Sequence, residues 1–223
     1  MSFIQKMLHF SPAGNHNGFI TERRGKMRKI KRFLILAVIC ACLYGCKKKA
    51  NIREVIGTDQ MKVEPYHASF VINESDIGQV TTYASYVFVA EVTDYVKVTY
   101  QNNEGNQPLT WYKILVKENI KGNLKKDEEI VLTKAGGLRR GTNTFLICEG
   151  DILPIVGETY LFSAVILDGE LYCPMPNMVV RIENPENVMD NPSVKRYEEA
   201  CANPAEEVPN GNLYKSKYDA GEG

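Results

Sequence analysis

The residues able to do chemistry are few. Glu149 and Asp151 flank Gly150 directly after Cys148. Two carboxylates at that spacing suit a general acid–base pair or part of a calcium site. The same residues are also what a polar turn between strands contains. After residue 46 the chain has one histidine, His67. That weighs against a Ser-His-Asp or Cys-His nucleophile and against histidine-bound zinc. The chain has no Cys-x-x-Cys, no Gly-x-Ser-x-Gly and no phosphate loop. Arg139 and Arg140 lie in a glycine-flanked stretch, where they suit an acidic partner or a solvated loop. Trp111 shares one strand parity with Lys113 and Lys117, so it reads as an exposed aromatic anchor or as a ring packed under a helix. No metal and no cofactor are expected.

These positions sit in an acidic protein whose formal charge of zero is misleading. Of 27 basic and 27 acidic residues, eight and one lie in the first 46, which leaves 19 against 26 and a net charge of −7 for the rest. No basic stripe remains there, so nucleic acid is not an expected partner. Lys47, Lys48 and Lys49 form the exception; they suit weak attraction to anionic headgroups or a solvated tether.

The first 46 residues carry an address. Arg28, Lys29, Lys31 and Arg32 form a basic patch, and Phe33 to Gly45 is an apolar run of thirteen residues. Roughly 20 apolar residues are needed to cross a bilayer, and about 10–14 are more typical of a signal-peptide core. The run ends Leu43-Tyr44-Gly45-Cys46. This resembles the lipobox of bacterial lipoproteins: Leu three positions before cleavage, a small residue next to it, then an obligatory cysteine. The resemblance implies a signal peptide over 27–45 and a diacylglyceryl thioether on Cys46. The protein would then be anchored in a bacterial cell membrane, facing away from the cytoplasm. The alternatives are a retained transmembrane anchor, or a cleaved signal with an incidental cysteine. Residues 1–26 have isolated turn signals and no period. They are expected to be leader sequence ahead of a true start at Met27, or an extended basic region.

Of the six cysteines, Cys40 and Cys42 belong to the signal and Cys46 would carry lipid. Cys148, Cys173 and Cys201 are left. Export permits disulfides. A Cys148–Cys173 bridge is expected because both lie at predicted strand ends; three unpaired buried thiols are the alternative.

Residues 46–72 have no clear period and read as a tether, with a short strand near 68–72. Asn73 is read as a helix cap, with Ile77, Val80 and Ala84 on one face. From Tyr86 the period becomes two, with an interruption at Asp94 that suits a bulge. Strands are expected around 111–120, 129–135, 144–148, 159–167, 170–173 and 178–182. Gly136-Gly137 marks a sharp bend, and Asp168-Gly169 between apolar runs signals a tight hairpin. Asn191-Pro192 opens a second helix, with Val194, Tyr197 and Cys201 on one face. Residues 204–223 read as disordered.

Short strands with turns every 8–15 residues and a helix at each end indicate a mainly β domain: a small barrel over 73–183, followed by a helical region over 184–203. Tyr112 to Ile130, then Gly136-Gly137, then Val156 to Phe162, resembles exported bacterial OB-fold domains. Those are similar in architecture to the inhibitory domain of tissue inhibitors of metalloproteinases. The likeness covers about 74–183 and rests on core and turn positions. Those inhibitors chelate zinc through a free N-terminal cysteine. Cys46 would be lipidated and separated from the barrel by tether and helix, so inhibition is not carried over. The functional expectation is a non-enzymatic, membrane-anchored lipoprotein that binds a protein or cell-envelope ligand. The alternatives are an envelope hydrolase or metal-dependent enzyme using Glu149 and Asp151, and a structural envelope component.

Overall fold

The computed structural model describes residues 52–101, 107–206, 208–209 and 216–220. The leader, the basic patch, the apolar run and Cys46 lie outside the described residues, as does most of the 101–108 loop.

The fold is mainly β. In chain order the elements are α1 (Ile52–Val55), β1 (Lys62–Tyr66), α2 (Ile77–Tyr83), β2 (Tyr86–Gln101), β3 (Gln107–Lys121), β4 (Glu129–Ala135), β5 (Gly137–Leu138), β6 (Thr144–Cys148), β7 (Thr159–Leu167), β8 (Glu170–Cys173), β9 (Val179–Arg181), a 3₁₀ turn (Pro185–Asp190) and α3 (Pro192–Ala202). The larger sheet runs β2-β3-β4-β8-β7-β9, and β2 also pairs with β7. The pairings of β2, β3, β4, β8 and β7 therefore return to their start. All are antiparallel except β4 with β8, which is parallel.

Alternation along these strands sets the core. Tyr112, Ile114 and Val116 of β3 are fully buried, while Trp111, Lys113, Leu115 and Lys117 alternate with them on the outer face. Phe88 of β2 stacks on Phe162 of β7 at 5.5 Å, and these rings lead a core that takes in Val80, Val194 and Tyr197 of the two longer helices. β2 slips register between Val92 and Asp94 and again between Tyr95 and Lys97. These are the bulges expected at Asp94, and they bend a sixteen-residue strand around the core.

The turns follow their residues. Asp168 and Gly169 have φ of 52° and 81°, as a tight hairpin with positive φ at both positions demands. Asn191 caps α3 by accepting from Ser193 N–H at 2.9 Å, and Pro192 takes the first position. The first long helix starts later than expected. Asp76, not Asn73, is its cap, accepting from Gln79 N–H at 3.2 Å. Asn73 forms the turn before it, accepting from Ser75 N–H at 3.1 Å.

Two expectations about the ends need correction. The segment read as a tether is folded from Ile52 onward. β1 runs parallel to β6 in a three-stranded sheet, β1-β6-β5, and no strand forms at 68–72. Val55 and Ile56 join Phe145, Ile147 and Leu153 in a second apolar cluster. The tail is also not wholly unpacked. Asp219 bridges Leu124, and Ser216 is buried beside Tyr86.

Candidate functional site

Glu149 and Asp151 do not converge. Cys148, which ends β6, pairs with Tyr66 of β1, and the chain then turns at Gly150. That turn sends the two carboxylates in different directions. Glu149 is exposed, with its Oε2 2.7 Å from His67 Nδ1 on the surface. The Asp151 side chain is 1% exposed and meets Lys134 Nζ. An acid–base pair is therefore not assembled from these two carboxylates. Among the described residues no three His, Cys, Asp or Glu side chains gather around a common point.

Lys134 is the residue that sequence reasoning missed. It follows Ile130 and Leu132 at intervals of two, which puts it on the core face of β4. That parity was the available signal, because a lysine on an apolar stripe must be neutralised or partnered. Its side chain is 0% exposed. Nζ also donates to the Cys173 carbonyl oxygen at 3.4 Å, across the parallel β4–β8 contact where Lys134 and Cys173 are in register. Burial raises the phenols of Tyr66, Tyr112 and Tyr172 above their ordinary range, and the charge of Asp151 adds to the effect in each. The Tyr112 hydroxyl is buried with no hydrogen-bond partner.

The expected Cys148–Cys173 bridge is not formed in this structure; Cys148, Cys173 and Cys201 are free thiols. Topology separates the first two. Cys148 ends β6 in the smaller sheet, whereas Cys173 ends β8 in the ring and donates its Sγ–H to Ser163 O at 3.2 Å. Burial pushes the Cys173 thiol up to about 12. Burial raises Cys148 and Cys201 as well. All three are thus poor nucleophiles at neutral pH.

The expected binding residues are divided between two faces. Trp111 is half-buried on the outer face of β3, directly across from Lys97 of β2. Its indole N–H donates to Thr99 Oγ1 at 2.8 Å, and Lys97 Nζ stands 4.5 Å from the ring centre. Tyr100 has the opposite parity to Lys97 and Thr99, so it points to the other face of the β2–β3 ribbon. There Arg140 covers its ring at 4.6 Å, while the Tyr100 hydroxyl donates to Leu138 O at 3.1 Å. Arg139 pairs with Glu64 of β1 at 3.0 Å. The two arginines thus fasten the β5 loop to its neighbours, and Trp111 stands apart with Lys97. Packing of Trp111 is against strand residues.

No family model matches the sequence, and a search of curated proteins finds no match.

Proposed function

We propose that the chain is a membrane-anchored bacterial lipoprotein. In this reading its OB-like barrel, facing away from the cytoplasm, is a non-enzymatic binding module for a protein or cell-envelope ligand. The Leu43-Tyr44-Gly45-Cys46 ending supports the anchor. The strand circuit supports the barrel. Numbered one to five in chain order, its strands β2, β3, β4, β7 and β8 are arranged one-two-three-five-four, with three and five parallel. OB-folds bind ligands across the face of strands two and three.

The observation that carries the binding reading is Trp111, on the outer face of the second strand of that circuit. The hydrogen bond to Thr99 and the Lys97 ammonium fix the ring in place while leaving it half-exposed. A rigid aromatic with a neighbouring cation suits contact with a polar ligand at low entropic cost. The separation of Glu149 from Asp151 weighs against the hydrolase alternative.

Trp111 is the chain's one tryptophan, so its fluorescence reports this face alone. Titration of the protein with solubilised peptidoglycan fragments and with detergent-extracted envelope proteins should shift the emission for one of the two. Lys97→Glu should weaken that response by about tenfold, the effect of losing roughly 1.4 kcal/mol of binding. If neither fraction shifts the emission, this face is not a binding surface.

A further inference from the structure

The Lys134–Asp151 pair is separate from the Trp111 face and has a chemistry of its own. A buried ammonium has three donors to satisfy. Nζ has two acceptors here, Asp151 Oδ2 and the Cys173 carbonyl oxygen, the latter at the long distance of 3.4 Å. Burying opposite charges with so few partners is unfavourable unless the charges are removed. Asp151 divides its oxygens unequally. Oδ1 accepts from Ile152 N–H at 2.8 Å, and Oδ2 meets Lys134.

We infer that the Lys134 amine and the Asp151 carboxyl condense into an intramolecular amide. One proton passes from Nζ to the carboxylate, leaving a neutral amine against a carboxylic acid. The Nζ lone pair attacks Cγ, the Nζ–Cγ bond forms and the Cγ–Oδ2 bond breaks. Oδ2 departs as water, carrying two protons that both began on Nζ. Nothing is oxidised or reduced, and the net charge of the pair is zero before and after.

The surroundings fit the product better than the ion pair. The amide keeps Oδ1 as the acceptor for Ile152 N–H. It keeps one N–H to donate to Cys173 O. The oxygen that leaves is the one held by Lys134 alone, and two buried charges disappear. The Tyr112 hydroxyl is buried without a hydrogen-bond partner; burial raises its phenol, and the charge of Asp151 adds to the effect. Asp151 is also among the residues, with Gly150 and Ile152, that line a cleft of about 430 Å³. The bond ties the end of β4 to the segment leading into β7.

The test is a tryptic digest of the full-length protein, purified folded from a bacterial host and then denatured, read by mass spectrometry. Trypsin cannot cut after an acylated lysine. The expected product is therefore peptide 127–139, uncut at Lys134, joined to peptide 141–181. Its mass should be one water less than the sum of the two peptides. Asp151→Ala should abolish this species. Recovery from the wild type of a peptide ending at Lys134 together with an unlinked 141–181 peptide, as the main products, would overturn the inference. So would persistence of the joined mass in Asp151→Ala.

Discussion

Tyr86 ties the C-terminal segment to the core through one hydroxyl. It donates to Asp219 Oδ1 at 2.6 Å and accepts from Ser216 N–H at 2.8 Å. Burial first, then the hydrogen bond to Asp219, pushes this phenol up to about 12 from an ordinary value of 10.0. The folded state thus holds the proton more tightly than the unfolded chain. The linked stability is complete below about pH 10 and is lost as the pH rises through 10 toward 12. Hydrogen exchange across residues 216–220 should accelerate over that interval. Tyr86→Phe should remove this alkaline step and cost about 1 kcal/mol at neutral pH, the usual net value of a hydrogen bond. An unchanged alkaline profile in Tyr86→Phe would mean that the segment is held by Lys217 and Tyr218 on Glu170 instead.

At the scale of elements, the turns out of β4 and β7 carry different demands. Gly137 has φ of 145°, and a Cβ there would lie 2.3 Å from Thr110 Oγ1. That hydroxyl is buried and donates to Gly136 O at 2.6 Å. Gly169 has φ of 81° with nothing within 4 Å of the added carbon. Gly169→Ala therefore pays conformational strain alone, about 1–2 kcal/mol. Gly137→Ala adds displacement of Thr110 and its hydrogen bond, about 1 kcal/mol or more. Urea unfolding should show the larger fall in midpoint for Gly137→Ala, with similar slopes for both variants. Equal midpoints would mean that Thr110 moves aside at no cost.

The glycine pair, the Asp-Gly hairpin, and the strands β2, β3, β4 and β6 to β9 were legible, whereas the two-residue β5 falls in a stretch that reads as bend and loop. Their alternation and turn residues are local signals, and burial on one or both faces enforces them. β1 was not legible, because four of its five residues are exposed and no apolar period marks it. Its place comes from pairing with β6, some 80 residues away in sequence. Asn73 and Asp76 both satisfy the cap rule, so sequence alone does not separate them; Gln79, at the third helical position after Asp76, decides between them. The site was legible only in part. Trp111 stood out by type, whereas Lys134 and Asp151 meet across 17 residues of chain that include a separate two-strand excursion.

At the scale of the whole molecule, the proposed anchor can be weighed by the length of the apolar run against the lipid that Cys46 would carry. A helix over Phe33 to Gly45 would rise about 20 Å at 1.5 Å per residue, short of a hydrocarbon core about 30 Å thick. Among the described residues no helix is long and apolar enough to cross a membrane. Two acyl chains on Cys46, at about 0.8 kcal/mol per buried CH₂, would anchor the chain stably where one chain would not. The lipid reading therefore predicts that a labelled fatty acid enters the wild type in a bacterial host and does not enter Cys46→Ala. Label on neither protein, with both still in the membrane fraction, would assign the anchor to the 33–45 run and leave Cys46 an ordinary thiol. Label on both would place acylation on another residue. Label on the wild type alone would confine the Trp111 ligand to molecules within reach of a membrane surface, because a folded segment begins six residues after Cys46, at Ile52. Six residues span at most about 20 Å even when fully extended. A ligand that shifts the Trp111 emission in solution but fails to bind protein held on vesicles by its lipid would then lie out of reach, and would not be the physiological one.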